Sequence, residues 1–196
     1  LDILKEELTR KEVGRKKLYG GAFSDEWVCF MKQENIWYAD FMQMEEVAEQ
    51  NAKITAEATI AEILKYSQYS IEGQKMIVTG YGRCGREIAG LLHLMGAKVT
   101  VLARSSKARK QAICDGLEAT DFSYGPEEVY GTRTVINTVP SLVIRESMLK
   151  EMHADAVIID IASRPGGVDL SAAERYEVQV IPALGLPGIY TTKSSA

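Results

Sequence analysis

The sequence predicts a doubly wound α/β fold, a parallel sheet with helices on both faces, preceded by the end of an N-terminal domain and a connector helix. Three observations predict it. Short apolar, β-rich runs recur at 76–79, 99–102, 134–139, 156–161 and 178–181, with a weaker one at 117–122. Helical patterns separate them, the clearest over 83–95. The first run also flows directly into a glycine-rich turn that opens a helix. Strands alternating with helices are βαβ units. Nearly continuous apolar strands are what a sheet covered on both faces requires.

Ahead of the first strand, residues 1–50 show weak periodicity and scattered aromatics (Tyr19, Phe23, Trp27, Phe30, Trp37, Tyr38, Phe41). They read as the remnant of an N-terminal, substrate-side domain. From Asn51 to about Tyr69, Ala56, Ile60, Ile63 and Leu64 form an i, i+4, i+7, i+8 stripe free of Gly and Pro, which predicts a connector helix. The expected divisions are therefore 1–50, 51–70 and 71–196. The chain starts without Met and its last segment, Thr191–Ala196, stops abruptly, so it is expected to be a fragment of a longer protein.

Composition narrows the function. The 196 residues are 46% hydrophobic and 26% charged, with net charge −4 and pI near 5.4. No run approaches the roughly 18 apolar residues of a membrane span, and residues 1–12 hold no apolar leader segment. The first fifty residues carry 7 basic and 11 acidic groups, the remainder 16 of each. A nucleic-acid binder shows a basic excess; this chain shows none. Cys29, Cys84 and Cys114 form no CxxC or Cys/His cluster, so neither a metal site nor a disulfide framework is expected, and a reducing cytoplasm fits.

The glycine turn reads Gly80-Tyr81-Gly82-Arg83-Cys84-Gly85, which is GxGxxG in strand–turn–helix context. Gly80 permits the tight turn, Gly82 lets a pyrophosphate approach the backbone, and Gly85 lets helix and strand pack closely. The helix start offers unpaired N–H groups and a positive dipole end. The domain is thus expected to be Rossmann-type and to bind a dinucleotide. NAD binders place an acid at the end of the second strand. Here Ala103 stands in that place, followed by Arg104, Ser105, Ser106 and Lys107. An arginine pairs with a 2′-phosphate through charge-assisted bonds, so NADP is the expected cofactor. A solvated helix start would explain Arg109 and Lys110 but not the missing acid.

Ligands in such sheets lie beyond the carboxyl ends of the strands. The fourth strand ends Asn137-Thr138-Val139-Pro140-Ser141, the fifth Asp160-Ile161-Ala162-Ser163-Arg164-Pro165-Gly166-Gly167, and the sixth Pro182-Ala183-Leu184-Gly185-Leu186-Pro187-Gly188. These loops are expected to line the nicotinamide half of the cofactor. Arg164 is suited to clamp a substrate carboxylate bidentately, or else to tie its loop to Asp160 or Asp169. Asp160 reads as structural. His93 and His153 lie away from the strand ends, so no histidine base is expected here.

With these loops in view, the sequence resembles the A subunits of dipicolinate synthase, a family of spore-forming bacteria, over about 51–196. The carrying segments are Asn51-Ala52 with Thr55-Ala56-Glu57, the glycine loop, Ala103-Arg104-Ser105-Ser106, Ile136–Ser141, Ala162–Gly167 and Gly185–Ile189. The resemblance implies NADP-dependent oxidation of a dihydrodipicolinate-level intermediate to pyridine-2,6-dicarboxylate in the mother cell during sporulation. It also implies a partner, the flavoprotein-like B subunit. It implies a cofactor site of Gly80, Gly82, Arg83, Cys84, Gly85, Arg104, Ser105, Ser106, Asn137, Thr138, Val139, Pro140, Ala162 and Ser163. Catalysis would fall to Arg164, with Asn51, Thr55 and Glu57 reaching the cleft from the connector helix. Association of identical chains stays open.

Two other readings compete. A 2-hydroxyacid dehydrogenase has a similar Arg-Gly loop after its fifth strand, but uses a histidine where this chain reads Gly185-Leu186-Pro187-Gly188; methylenetetrahydrofolate dehydrogenases are a weaker candidate. A sensing module would bind NADP(H) and report to a partner without turnover.

Overall fold

The computed structural model describes residues 8, 17–21, 23–123 and 129–190. They fall into two compact units, one up to Gln50 and one from Asn51 onward.

In the first unit, β1 (Lys17–Gly20) and β2 (Trp37–Asp40) pair in parallel, joined by the helix Asp25–Gln33. Ser24 starts that helix by accepting the Trp27 N–H, and Asp25 and Glu26 sit at its positive end. This is a βαβ unit, more regular than the periodicity of 1–50 suggests. Its four-residue strands are largely half-exposed, and their aromatics stack on one another. Tyr19 lies 5.4 Å from Trp37 and 6.1 Å from Phe41. Aromatics that cover each other leave no clean apolar alternation to read.

The helix Glu45–Tyr66 begins six residues earlier than the sequence stripe suggests. Glu45 and Glu46 suit a first helical turn, and no Gly or Pro interrupts the run. Ala56, Ile60 and Ile63 join the core of the second unit, whereas Leu64 is 57% exposed. At 100° per residue, position i+8 lies about 80° round from i, at the margin of the stripe.

The second unit holds six parallel strands: β3 (Lys75–Thr79), β4 (Lys98–Leu102), β5 (Glu118–Thr120), β6 (Thr134–Asn137), β7 (Val157–Asp160) and β8 (Gln179–Pro182). Their order is β5-β4-β3-β6-β7-β8. The direction of sheet growth reverses between β3 and β6, and ligands bind in the crevice outside such a switch point. Alternate residues enter opposite layers. Met76, Val78, Ile136, Val157 and Ile159 pack with the helices Glu45–Tyr66 and Arg83–Leu94. Ile77, Val135 and Ile158 pack with the helices Glu146–Leu149 and Leu170–Arg175. Each such side chain contributes about 1.5–3 kcal/mol by leaving water, so the sheet is fixed in register from both faces.

Two strand ends differ from expectation. β6 stops at Asn137 rather than 139, because Thr138 turns back to donate N–H (3.2 Å) and Oγ1 (2.7 Å) to the Thr79 carbonyl. After β8 the expected loop shortens to three residues and becomes the helix Leu186–Tyr190. Pro187 is tolerated there because first-turn N–H groups have no helical partner.

Candidate functional site

The glycine loop crosses the top of the sheet at the switch point. Gly80 takes φ +86°, and a Cβ there would sit 2.5 Å from Thr138 Oγ1. At Gly85 a Cβ would lie 2.4 Å from the Gly80 carbonyl oxygen. Internal packing therefore demands both glycines. Gly82 differs: it has ordinary backbone angles (φ −83°), and a Cβ there meets nothing within 4 Å. The fold does not require glycine at 82, whereas a phosphate approaching the backbone from outside does. Gly82 also starts the helix Arg83–Leu94 without any side-chain cap, leaving N–H groups directed at that space. The loop fits a dinucleotide.

Cys84 contributes backbone to this turn rather than its thiol. Its side chain is half-buried against the core, and burial pushes the thiol's pKa up, partly offset by a hydrogen bond with Thr55. Thr55 is buried and donates Oγ1 to the Asn51 carbonyl at 2.7 Å. Glu57 is exposed, but it lines a separate cleft of about 430 Å³ with Lys53, Tyr81, Arg86, Glu87 and Asp115. No described residue of the β6 or β7 loops shares that cleft. The two side chains expected beside Arg164 thus take opposite sides of the connector helix, Thr55 buried and Glu57 exposed. Helical spacing puts Thr55 inward and Glu57 200° away, and Asn51 is half-buried at the start of the second unit.

At the carboxyl ends of β3, β6 and β7 the register sets Thr79 opposite Asn137 and Asn137 opposite Asp160. Thr79 Oγ1 donates to Asn137 Oδ1 at 2.5 Å, and Asn137 Nδ2 donates to Asp160 Oδ1 at 2.7 Å. Asn137 also holds Val139 through the N–H (3.1 Å) and carbonyl (3.2 Å) of that residue. Asp160 accepts the N–H of Ala162 (3.1 Å) and Gly167 (3.4 Å). Asn137 is thus fully buried with its carboxamide spent. It shapes the two loops that carry Thr138, Val139, Pro140, Ala162 and Ser163, the residues expected with it at the cofactor. A buried polar chain of this kind holds its loops because any broken member leaves a desolvated partner.

Arg164 stands on the outside of that frame. It is exposed, between exposed Ser163 and Pro165, and no described acid pairs with it. Asp160 is engaged as above, and Asp169 accepts the Ala172 N–H at the start of the helix Leu170–Arg175. Ser105 Oγ accepts the Ala108 N–H and starts the helix Ser106–Cys114. Arg104, Ser105 and Ser106 are exposed at the end of β4. Arg109 supports them from behind, its Nη1 donating to the Ala103 and Arg104 carbonyls at 2.7 Å each. Arg145, which sequence reasoning missed, joins Arg104 in one cleft. The strand-end rule points to its loop, but the pattern runs out at Ser141, four residues short.

Among the described residues no group of His, Cys, Asp and Glu could hold a metal ion, and no helix is long and apolar enough to cross a membrane.

Comparison with known proteins bears out the resemblance. The dipicolinate synthase A subunit of Bacillus subtilis is 35% identical over 153 residues, 78% of this chain and 52% of that protein. The chain thus spans about half the length of this relative. The crystal structure of that Bacillus subtilis protein superposes with TM-score 0.87 at 30% identity, over 97% of this chain and 64% of that one. The corresponding dipicolinate synthase structure from Bacillus halodurans gives 0.87 at 31%, over 97% and 66%. A transhydrogenase from Sinorhizobium meliloti, at 17% identity and TM-score 0.71 over 88% and 61%, shares the fold. A family model described as D-isomer specific 2-hydroxyacid dehydrogenase, NAD binding domain, matches residues 40–173. Glycine loop, strand order and matched span agree, and the chain belongs to this family of nicotinamide-dependent, dehydrogenase-like proteins.

Proposed function

We propose that the chain is the nucleotide-binding part of an NADP-dependent dehydrogenase that oxidises a dihydrodipicolinate-level intermediate to dipicolinate, working with a B subunit in the mother-cell cytoplasm of a sporulating bacterium. Residues 71–196 are the cofactor domain, 51–70 the connector, and 1–50 part of a substrate-side domain. The observation that carries the reading is Arg164, an exposed guanidinium with no described partner at the end of β7. The product has two ring carboxylates, and a planar guanidinium matches a carboxylate bidentately. The nicotinamide, when bound, accepts a hydride. The chain's own part is positioning: Asp160 and Asn137 hold the loops and Arg164 orients the acid. Because loss of hydride aromatises the ring, orientation supplies much of what the reaction needs. Ala103 in place of an acid, followed by exposed Arg104, supports NADP over NAD.

The test uses the complete protein. Substrate is generated in situ from aspartate semialdehyde and pyruvate by the lysine-pathway synthase, and dipicolinate is read by terbium luminescence with NADP or NAD, with and without the B subunit. Turnover in Arg164→Ala is expected to fall by on the order of a hundredfold, the worth of a charge-assisted pair, while NADPH still binds. Intact turnover in that variant overturns the site.

The family match favours a second reading, a 2-hydroxy acid as substrate. Turnover of such acids in the same assay, without dipicolinate, would select it. NADPH binding without turnover of either would select a sensing module.

A further inference from the structure

A cleft of about 190 Å³ opens between the ends of β4 and β6. Arg104 lines it from one side, Ser141, Arg145 and Ser147 from the other, and Phe122 forms part of its apolar wall. No described carboxylate lines it. The nearest acids in sequence are engaged elsewhere. Glu146 is held by Arg175 at 3.1 Å and by the Tyr176 hydroxyl at 3.1 Å. Asp121 lies 3.9 Å from Arg109 and accepts hydrogen bonds from Ser123. Arg109 itself is occupied with the carbonyls of 103 and 104. Two guanidinium groups from different strand ends therefore share one small cleft with no compensating anion among the described residues. The loop bearing Arg145 is also pinned, since the Val143 and Ile144 N–H groups both donate to the Gly167 carbonyl, at 3.0 and 2.9 Å.

We propose that Arg104 and Arg145 together hold one phosphate monoester, the ribose 2′-phosphate of the dinucleotide, with Ser141 and Ser147 as hydroxyl donors and Phe122 beside the base. The inference rests on the NADP reading above and adds Arg145 as a second specificity-determining residue. A monoester carries close to two negative charges at neutral pH; Arg104 alone answers one of them, and the pair answers both. An NAD ribose presents only a hydroxyl there, so the second arginine has no charge to meet.

The test measures binding of NADPH, NADH, 2′,5′-ADP and 5′-AMP to the complete wild-type protein, Arg104→Ala, Arg145→Ala and the double variant. Arg145→Ala is expected to weaken NADPH and 2′,5′-ADP by on the order of tenfold or more and to leave NADH and AMP unchanged. The double variant is expected to lose less than the product of the single losses, as groups sharing one ligand do. Wild-type affinity for 2′,5′-ADP should also fall below about pH 6, where the monoester gains a proton, and fall less steeply in Arg145→Ala. Equal losses for NADPH and NADH, or no loss, in Arg145→Ala while Arg104→Ala abolishes the preference would overturn the shared site and leave the NADP reading standing. A wild-type protein that does not prefer NADPH would overturn both.

Discussion

Thr79 and Tyr81 stand on either side of Gly80, and each begins a polar cluster. From Thr79 the chain of bonds runs through Asn137 to Asp160, and its first two members are fully buried. From Tyr81 it runs to Asp115 at 2.8 Å, which also accepts from Gln111 at 2.9 Å and pairs with Arg86 at 3.3 Å. That second cluster lies open to solvent, with the Arg86 side chain 59% exposed. The two have different physical roles. Water replaces a lost partner in the exposed cluster and cannot do so in the buried one. The buried cluster therefore fixes where the loops over β6 and β7 lie, while the exposed one trims the surface beside the glycine loop.

The largest effect should come from breaking the buried cluster. Asn137→Leu keeps the branched shape but strands Thr79 Oγ1 and the Val139 peptide groups and takes one donor from Asp160 Oδ1. The expected cost is about 3 kcal/mol, a fall in melting temperature of roughly 10 °C for a chain of this size. Thermal unfolding of the variant measures it. A change under about 3 °C would mean that water reaches the strand ends and the contrast between the clusters fails.

The glycine loop between them sharpens the comparison, because its glycines divide in the same way. Gly85→Ala drives a Cβ against the Gly80 carbonyl, so helix and strand must separate, at about 1–3 kcal/mol. Gly82→Ala meets open space and should leave stability within about 0.5 kcal/mol, while weakening NADPH by on the order of tenfold or more through the lost close approach to phosphate. Melting and NADPH titration on both variants separate the two causes. Unchanged affinity in Gly82→Ala would remove the phosphate from this loop.

Local pattern made much of this legible before any coordinates. β3 and β4, the glycine loop and its helix follow from runs of adjacent residues, and each lies where the sequence puts it to within a residue. Arg164 and Arg104 are exposed. What was hidden depends on pairing across strands. Asn137 reads as a loop residue near a ligand until register sets it opposite Asp160, 23 positions away. Arg145 gains its meaning only because its loop folds back onto Gly167 and brings it beside Arg104. Thr55 and Glu57 share one short motif, yet helix rotation sends one into the core and the other to a different cleft. Chemistry-bearing residue types are visible in a sequence, but a partner more than a helical turn away is not.

The smallest effect tests the exposed side of the comparison. Tyr81→Phe removes one hydrogen bond to Asp115 and should cost about 0.5–1 kcal/mol, several times less than Asn137→Leu. Its pH dependence identifies the bond. The Tyr81 hydroxyl, with Gln111 and Arg86, holds the Asp115 carboxyl below its usual range. Burial first, and then the bond to Asp115, pushes the Tyr81 hydroxyl upward. A carboxylate with a depressed folded pKa stabilises above its unfolded value, near 3.9, and loses that contribution as pH falls through the folded one. A tyrosine with a raised pKa stabilises below its unfolded value, near 10, and loses the contribution as pH rises through the folded one. The stability gap between wild type and Tyr81→Phe should therefore be flat from about pH 5 to 9 and narrow on both sides. Chemical denaturation across roughly pH 2.5–10.5 reads that gap, and a gap as large as that of Asn137→Leu would show that solvent exposure is not what separates the two clusters.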